Sequence, residues 1–81
     1  MKTILVTGGA GFIGSNFVRY MLKNYEEITL VNLDLLTYAG NLDNLAGVSD
    51  DKRYTFVRGD IHDAALVEQL FEKYDFDTVV N

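Results

Sequence analysis

Seven residues near the start of the chain, Gly8-Gly9-Ala10-Gly11-Phe12-Ile13-Gly14, contain four glycines. Before them runs a short apolar, β-branched stretch, Thr3 to Thr7, of the kind that forms a strand buried on both faces. After them Ile13, Phe17, Val18, Met21 and Leu22 recur on one helix face, and Asn24 can end that helix. Gly9 to Gly14 satisfies G-x-G-x-x-G, a weak signal by itself. Its setting makes it stronger: a strand precedes it, a helix opens on it, and an acid, Asp34, stands about twenty residues on. Glycines without Cβ allow a tight turn with positive φ. Gly11 lets a pyrophosphate approach the backbone, and Gly14 lets helix and strand lie close. The helix N-terminus offers unpaired N–H groups and partial positive charge to phosphate. G-x-x-x-x-G-K-[ST] is absent, which disfavours a P-loop nucleotidase.

The second apolar run, Ile28 to Leu33, ends at Asp34; in a dinucleotide fold a carboxylate there accepts hydrogen bonds from the adenosine ribose and repels a 2′-phosphate, and otherwise it reads as a helix cap or turn residue. No arginine follows in residues 35–40, so NAD is preferred over NADP. Asn41 can cap a short helix, Leu42 to Ala46, with Gly47 beyond its end. Tyr54 to Val57 is a third strand. Asp63 caps a helix through Tyr74, with Leu66, Val67, Leu70, Phe71 and Tyr74 on one face. Thr78-Val79-Val80 starts a fourth strand, and its valines expect neighbours on both faces. The expected fold is α/β: the N-terminal part of a Rossmann-type doubly wound parallel sheet, ordered β-α-β-α-β-α-β with the second helix short.

Other polar residues read more plainly. Asp60 follows the third strand at the ligand-binding edge of the sheet, open between adenine contact and loop capping. His62, the only histidine, has no nucleophile nearby and reads as a surface residue. Asp50-Asp51 reads as a solvated turn. None of the five tyrosines has lysine four residues on, and no catalytic or metal-binding set emerges. The net charge of −5 leaves no basic face for nucleic acid. No apolar run approaches the ~18 residues of a membrane span. The start of the chain lacks the ~7–15-residue apolar stretch of a secretory signal, and there is no cysteine for disulfides or thiolate chemistry. A cytoplasmic location is expected.

Thr7-Gly8-Gly9-Ala10-Gly11-Phe12-Ile13-Gly14 resembles the T-G-x-x-G-x-x-G loop of extended short-chain dehydrogenases/reductases. Asp34-Leu35-Leu36-Thr37-Tyr38-Ala39-Gly40-Asn41-Leu42 is similar to the D-x-L-T-Y-A-G-N-L stretch of dTDP-glucose 4,6-dehydratases, and Gly59-Asp60-Ile61 resembles their third-strand ending. By position, the resemblance implies that Gly8, Gly11, Phe12, Ile13 and Gly14 lie against the NAD pyrophosphate. It places Asp34, Leu35, Leu36 and Thr37 around the adenosine ribose, Ala39 and Gly40 near the adenosine, and Asp60 and Ile61 at the adenine. Leu35 departs from a position where many members carry lysine.

The resemblance further implies an internal redox cycle on a nucleotide-sugar substrate, dTDP-glucose. Hydride leaves C4, water is lost across C5–C6, and hydride returns to C6, giving a 4-keto-6-deoxy sugar for products such as rhamnose. It also implies a homodimer. Residues 1–81 are expected to form the N-terminal portion of the NAD-binding domain. The catalytic residues and the sugar-nucleotide domain are then expected beyond Asn81. The alternatives are another NAD-dependent sugar-nucleotide epimerase or decarboxylase, a non-catalytic dinucleotide-binding module, and an α/β domain with an incidental glycine turn.

Overall fold

A computed structural model describes residues 2–8, 12–35, 47–48 and 50–80. Its elements are β1 (Lys2–Thr7), α1 (Phe12–Asn24), β2 (Ile28–Asp34), β3 (Tyr54–Arg58), α2 (Ala64–Lys73) and β4 (Thr78–Val80). All strand pairs are parallel, and the sheet order is β3-β2-β1-β4. The strand order thus turns back at β1, between β2 and β4. In open α/β sheets ligands bind beyond the carboxyl ends of the strands at such a switch point. The helix expected over Leu42–Ala46 and its Asn41 cap lie outside the described residues. Gly47 beyond it has φ 90°, a left-handed value suited to glycine.

The pleat explains why both sheet faces need cover. Ile4, Val6, Ile28, Leu30 and Tyr54 form one buried cluster with Val18 and Leu22 of α1. Leu5, Val31 and Leu33 form the other with Leu70 of α2. Successive strand residues point to opposite faces, so continuous apolar strands demand a helix on each. The doubly wound architecture is as expected. Of the apolar face proposed for α2, Leu70 is buried and Leu66, Val67 and Tyr74 pack against the cluster, whereas Phe71 is 47% exposed. The helix ends at Lys73, with Tyr74 as its cap residue. Val80 packs on the α1 side, but Val79 on the opposite face is 52% exposed rather than covered.

Side-chain anchors set the ends of the elements. Asp63 accepts the Leu66 N–H at 3.2 Å, the cap expected for α2. Asn24 donates to the Tyr20 carbonyl at 2.8 Å in the last turn of α1. Asp77 accepts the Thr3 N–H through Oδ2, while its own N–H donates to the Thr3 carbonyl, both at 2.8 Å. This exchange fixes where β4 starts beside β1.

One turn differs from its sequence reading. Asp50 is exposed as expected, but Asp51 pairs with Arg53 at 2.8 Å and is partly buried. The same guanidinium donates to the carbonyls of Leu22 (2.8 Å), Tyr25 (2.6 Å) and Glu26 (3.3 Å). Arg53 therefore satisfies carbonyls left open at the end of α1 and ties them to the turn before β3. Hydrogen bonds from the Arg53 side chain and backbone hold the Asp51 carboxyl below the usual carboxylate range. A carboxyl whose pKa is lowered by folding stabilises the fold above its unfolded pKa, about 3.9, and loses that contribution as pH falls through the folded value. Asp51→Asn is therefore expected to lower the thermal midpoint at neutral pH. The difference from the unmodified protein should shrink below about pH 4. Melting curves across pH check this.

Candidate cofactor site at the carboxyl edge of the sheet

Parallel pairing brings the ends of β1, β2 and β3 to one edge, with Thr7 beside Leu33 and Leu33 beside Val57. Chain leaves that edge at Gly8, at Leu35 and at Gly59. Gly8 has φ 77°, a left-handed conformation that glycine adopts without a Cβ clash. Its N–H donates to the Leu33 carbonyl at 3.1 Å, continuing the β1–β2 ladder by one bond. The backbone thus turns sharply out of β1, and α1 begins at Phe12 with its N-terminus at the same edge. Positive φ at the strand end and a helix opening a few residues later are the two backbone features that a pyrophosphate loop requires.

Asp34 is the last residue of β2 and is 3% exposed. Its carbonyl accepts the Gly59 N–H at 3.2 Å, so the β3 exit is bound to the β2 exit. Leu35 follows, 38% exposed. Asp60 and Ile61 lie in the turn after β3, where Ile61 is 45% exposed. Asp60 Oδ1 accepts the His62 N–H at 2.8 Å and lies 2.9 Å from His62 Nδ1. These contacts hold the Asp60 carboxyl below the usual carboxylate range, chiefly through the His62 N–H, so it is anionic at neutral pH. The Asp60 carbonyl also accepts the Asp63 N–H at 2.9 Å. Asp60 therefore shapes the loop, and its carboxylate stands at the ligand edge. His62 is on the surface as expected, and its ring is paired with Asp60.

The expected pyrophosphate, ribose and adenine residues thus share one edge wherever the structure describes them: Gly8, the start of α1 with Gly14, Asp34, Leu35, Asp60 and Ile61. Gly11, Leu36, Thr37, Ala39 and Gly40 lie outside the described residues. Positive φ at Gly8 and the buried carboxylate at the end of β2 fit the pyrophosphate and ribose of a dinucleotide. Among the described residues no cluster of histidine, aspartate and glutamate is arranged for a metal ion.

Sequence reading missed Gly59 as a packing position. A Cβ there would run into Leu66 Cδ2 of α2 and meet Leu33 Cδ1 at 3.3 Å. Gly59→Ala is expected to turn the half-buried Leu66 side chain aside and destabilise the fold by about 1 kcal/mol, the low end of the range for overpacking. A denaturant midpoint checks it. The available signal was a glycine closing an apolar strand before a capped helix. The Asn32–Tyr54 pair was also missed. Asn32 Nδ2 donates to the Tyr54 hydroxyl at 3.0 Å in the interior. An asparagine inside an apolar run was the hint.

The model of the family described as GDP-mannose 4,6 dehydratase matches residues 5–81. The low-salt glycan biosynthesis protein Agl12 of Haloferax volcanii is 58% identical over 78 residues, 96% of this chain and 24% of that protein. The dTDP-glucose 4,6-dehydratase of Salmonella typhimurium is 51% identical over 78 residues, covering 96% and 21%. The crystal structure of dTDP-glucose 4,6-dehydratase from Bacillus anthracis in complex with NAD superposes with a TM-score of 0.97 at 49% identity. That match covers 100% of this chain and 26% of that one. The chain spans about a quarter of the length of these relatives. The motif resemblance and the doubly wound fold therefore hold, and with a match running from β1 to the last residue, the chain belongs to the GDP-mannose 4,6 dehydratase family.

Proposed function

We propose that this chain is the adenosine-binding part of an NAD-dependent nucleotide-sugar 4,6-dehydratase acting on dTDP-glucose. The observation that carries the reading is the shared edge: a left-handed glycine turn, a helix N-terminus and a buried carboxylate ending β2. Relatives named as dTDP-glucose 4,6-dehydratases at about half identity support the substrate. Gly8, the start of α1 and Gly14, with Gly11 between them, hold the pyrophosphate. Asp34 accepts the ribose hydroxyls, with Leu35, Leu36 and Thr37 around it. Ala39 and Gly40 lie near the adenosine, and Asp60 and Ile61 bound the adenine. When bound, NAD supplies a hydride acceptor that becomes the donor within one turnover. The residues of this chain bind and orient it rather than transfer protons.

We further infer that residues 1–81 are the N-terminal portion of the cofactor domain in a longer enzyme. That enzyme is a cytoplasmic homodimer, and its product feeds deoxysugars such as rhamnose. The motif resemblance supports this. No described helix is long and apolar enough to cross a membrane. The test uses the complete natural polypeptide. Incubated with dTDP-glucose, it should yield a 4-keto product that absorbs in alkali. No product from dTDP-glucose, with product from GDP-mannose instead, would overturn the substrate assignment.

A further inference from the structure

Asn32 and Asp34 are the two buried polar side chains of β2 among the described residues, and they stand two positions apart on the α1 face of the sheet. Tyr54 starts β3 opposite Leu30, and its ring packs in the cluster with Val18, Leu22 and Leu30. Its hydroxyl meets the Asn32 amide, which pairs along the sheet with Phe56, one pleat repeat nearer the carboxyl edge. The phenol therefore runs along the sheet toward Asp34. Burial pushes the Tyr54 hydroxyl up, the Asn32 bond opposes this, and the charge of Asp34 raises it further. The phenol stays protonated at neutral pH, and the three groups share one electrostatic neighbourhood. A phenylalanine at position 54 would fill the same volume with no hydroxyl to satisfy. Packing alone does not require the hydroxyl.

We propose that Asn32 and Tyr54 are positioning residues for the Asp34 carboxylate: their buried hydrogen bond locks the face of β2 behind it and sets affinity for the adenosine ribose. The proposal rests on the NAD reading above and adds a determinant that touches no cofactor. The test measures NAD dissociation constants by calorimetry, together with melting temperatures, on the complete polypeptide and two variants. Tyr54→Phe is expected to weaken NAD about five-fold, within the range for residues that act on a site without touching its ligand, and to weaken ADP-ribose equally. The double variant Asn32→Leu/Tyr54→Phe should keep the weakened affinity whatever its melting temperature, since Asn32 makes a further interaction besides the Tyr54 bond. An unchanged Kd in Tyr54→Phe, a loss confined to NAD, or a double variant that regains the affinity would overturn the proposal. If Tyr54→Phe alone does not fold, the double variant decides by the same comparison. Absence of NAD binding in the unmodified protein would instead overturn the cofactor reading beneath it.

Discussion

Asp34→Asn is expected to weaken NAD binding roughly ten- to a hundredfold, because hydrogen bonds to a charged group are worth about 1.5–3 kcal/mol and each 1.4 kcal/mol is tenfold. Asparagine has nearly the same shape and retains one acceptor, so β2 still ends at the same place. The change removes the charge at a residue that is 3% exposed, where water screens little. It also removes the repulsion toward a 2′-phosphate, so NADP should gain relative to NAD. Titration of both dinucleotides checks both parts. A variant that binds NAD as tightly as the unmodified protein would remove Asp34 from the ribose site.

Leu30→Ala is expected to have the largest effect on stability. Leu30 is fully buried at the centre of β2, between β1 and β3 and under α1. Truncating a buried leucine to alanine costs about 2–5 kcal/mol, through lost transfer energy and the cavity left behind. The size depends on how far Val18, Leu22 and Tyr54 collapse into the space. The denaturant midpoint should fall with little change in slope. Phe71→Ala, at a ring 47% exposed on α2, should move it far less. Equal losses at the two positions would mean that the core is not organised around β2.

Much of this organisation was readable from the sequence because local chemistry and global fold agree. The strand–glycine–helix order, the acid at the end of β2 and the Asp63 cap each declare themselves within a few residues, and each is where it was expected. What could not be read depends on side chains distant in sequence. Arg53 reaches back to Leu22, Tyr25 and Glu26, and no periodicity announces that a turn residue will close a helix built thirty positions earlier. Asp51 reads as solvated in the sequence because its partner sits two residues on in a polar stretch, where pairing and hydration look alike. Asn32 and Tyr54 meet only after β3 has taken its register beside β2. Gly59 is tight only because α2 returns Leu66 over it.

In the proposed reaction hydride returns to the product within each turnover, so the cofactor is expected to remain bound through purification. The most direct measurement is the nucleotide content of the complete polypeptide, released by acid denaturation and identified by chromatography, with calorimetric titration of any empty fraction. About one NAD per chain, bound or titratable, is the expected result. Protein that carries no nucleotide and gives no heat with NAD or ADP-ribose would contradict the assignment of this sheet edge as a dinucleotide site.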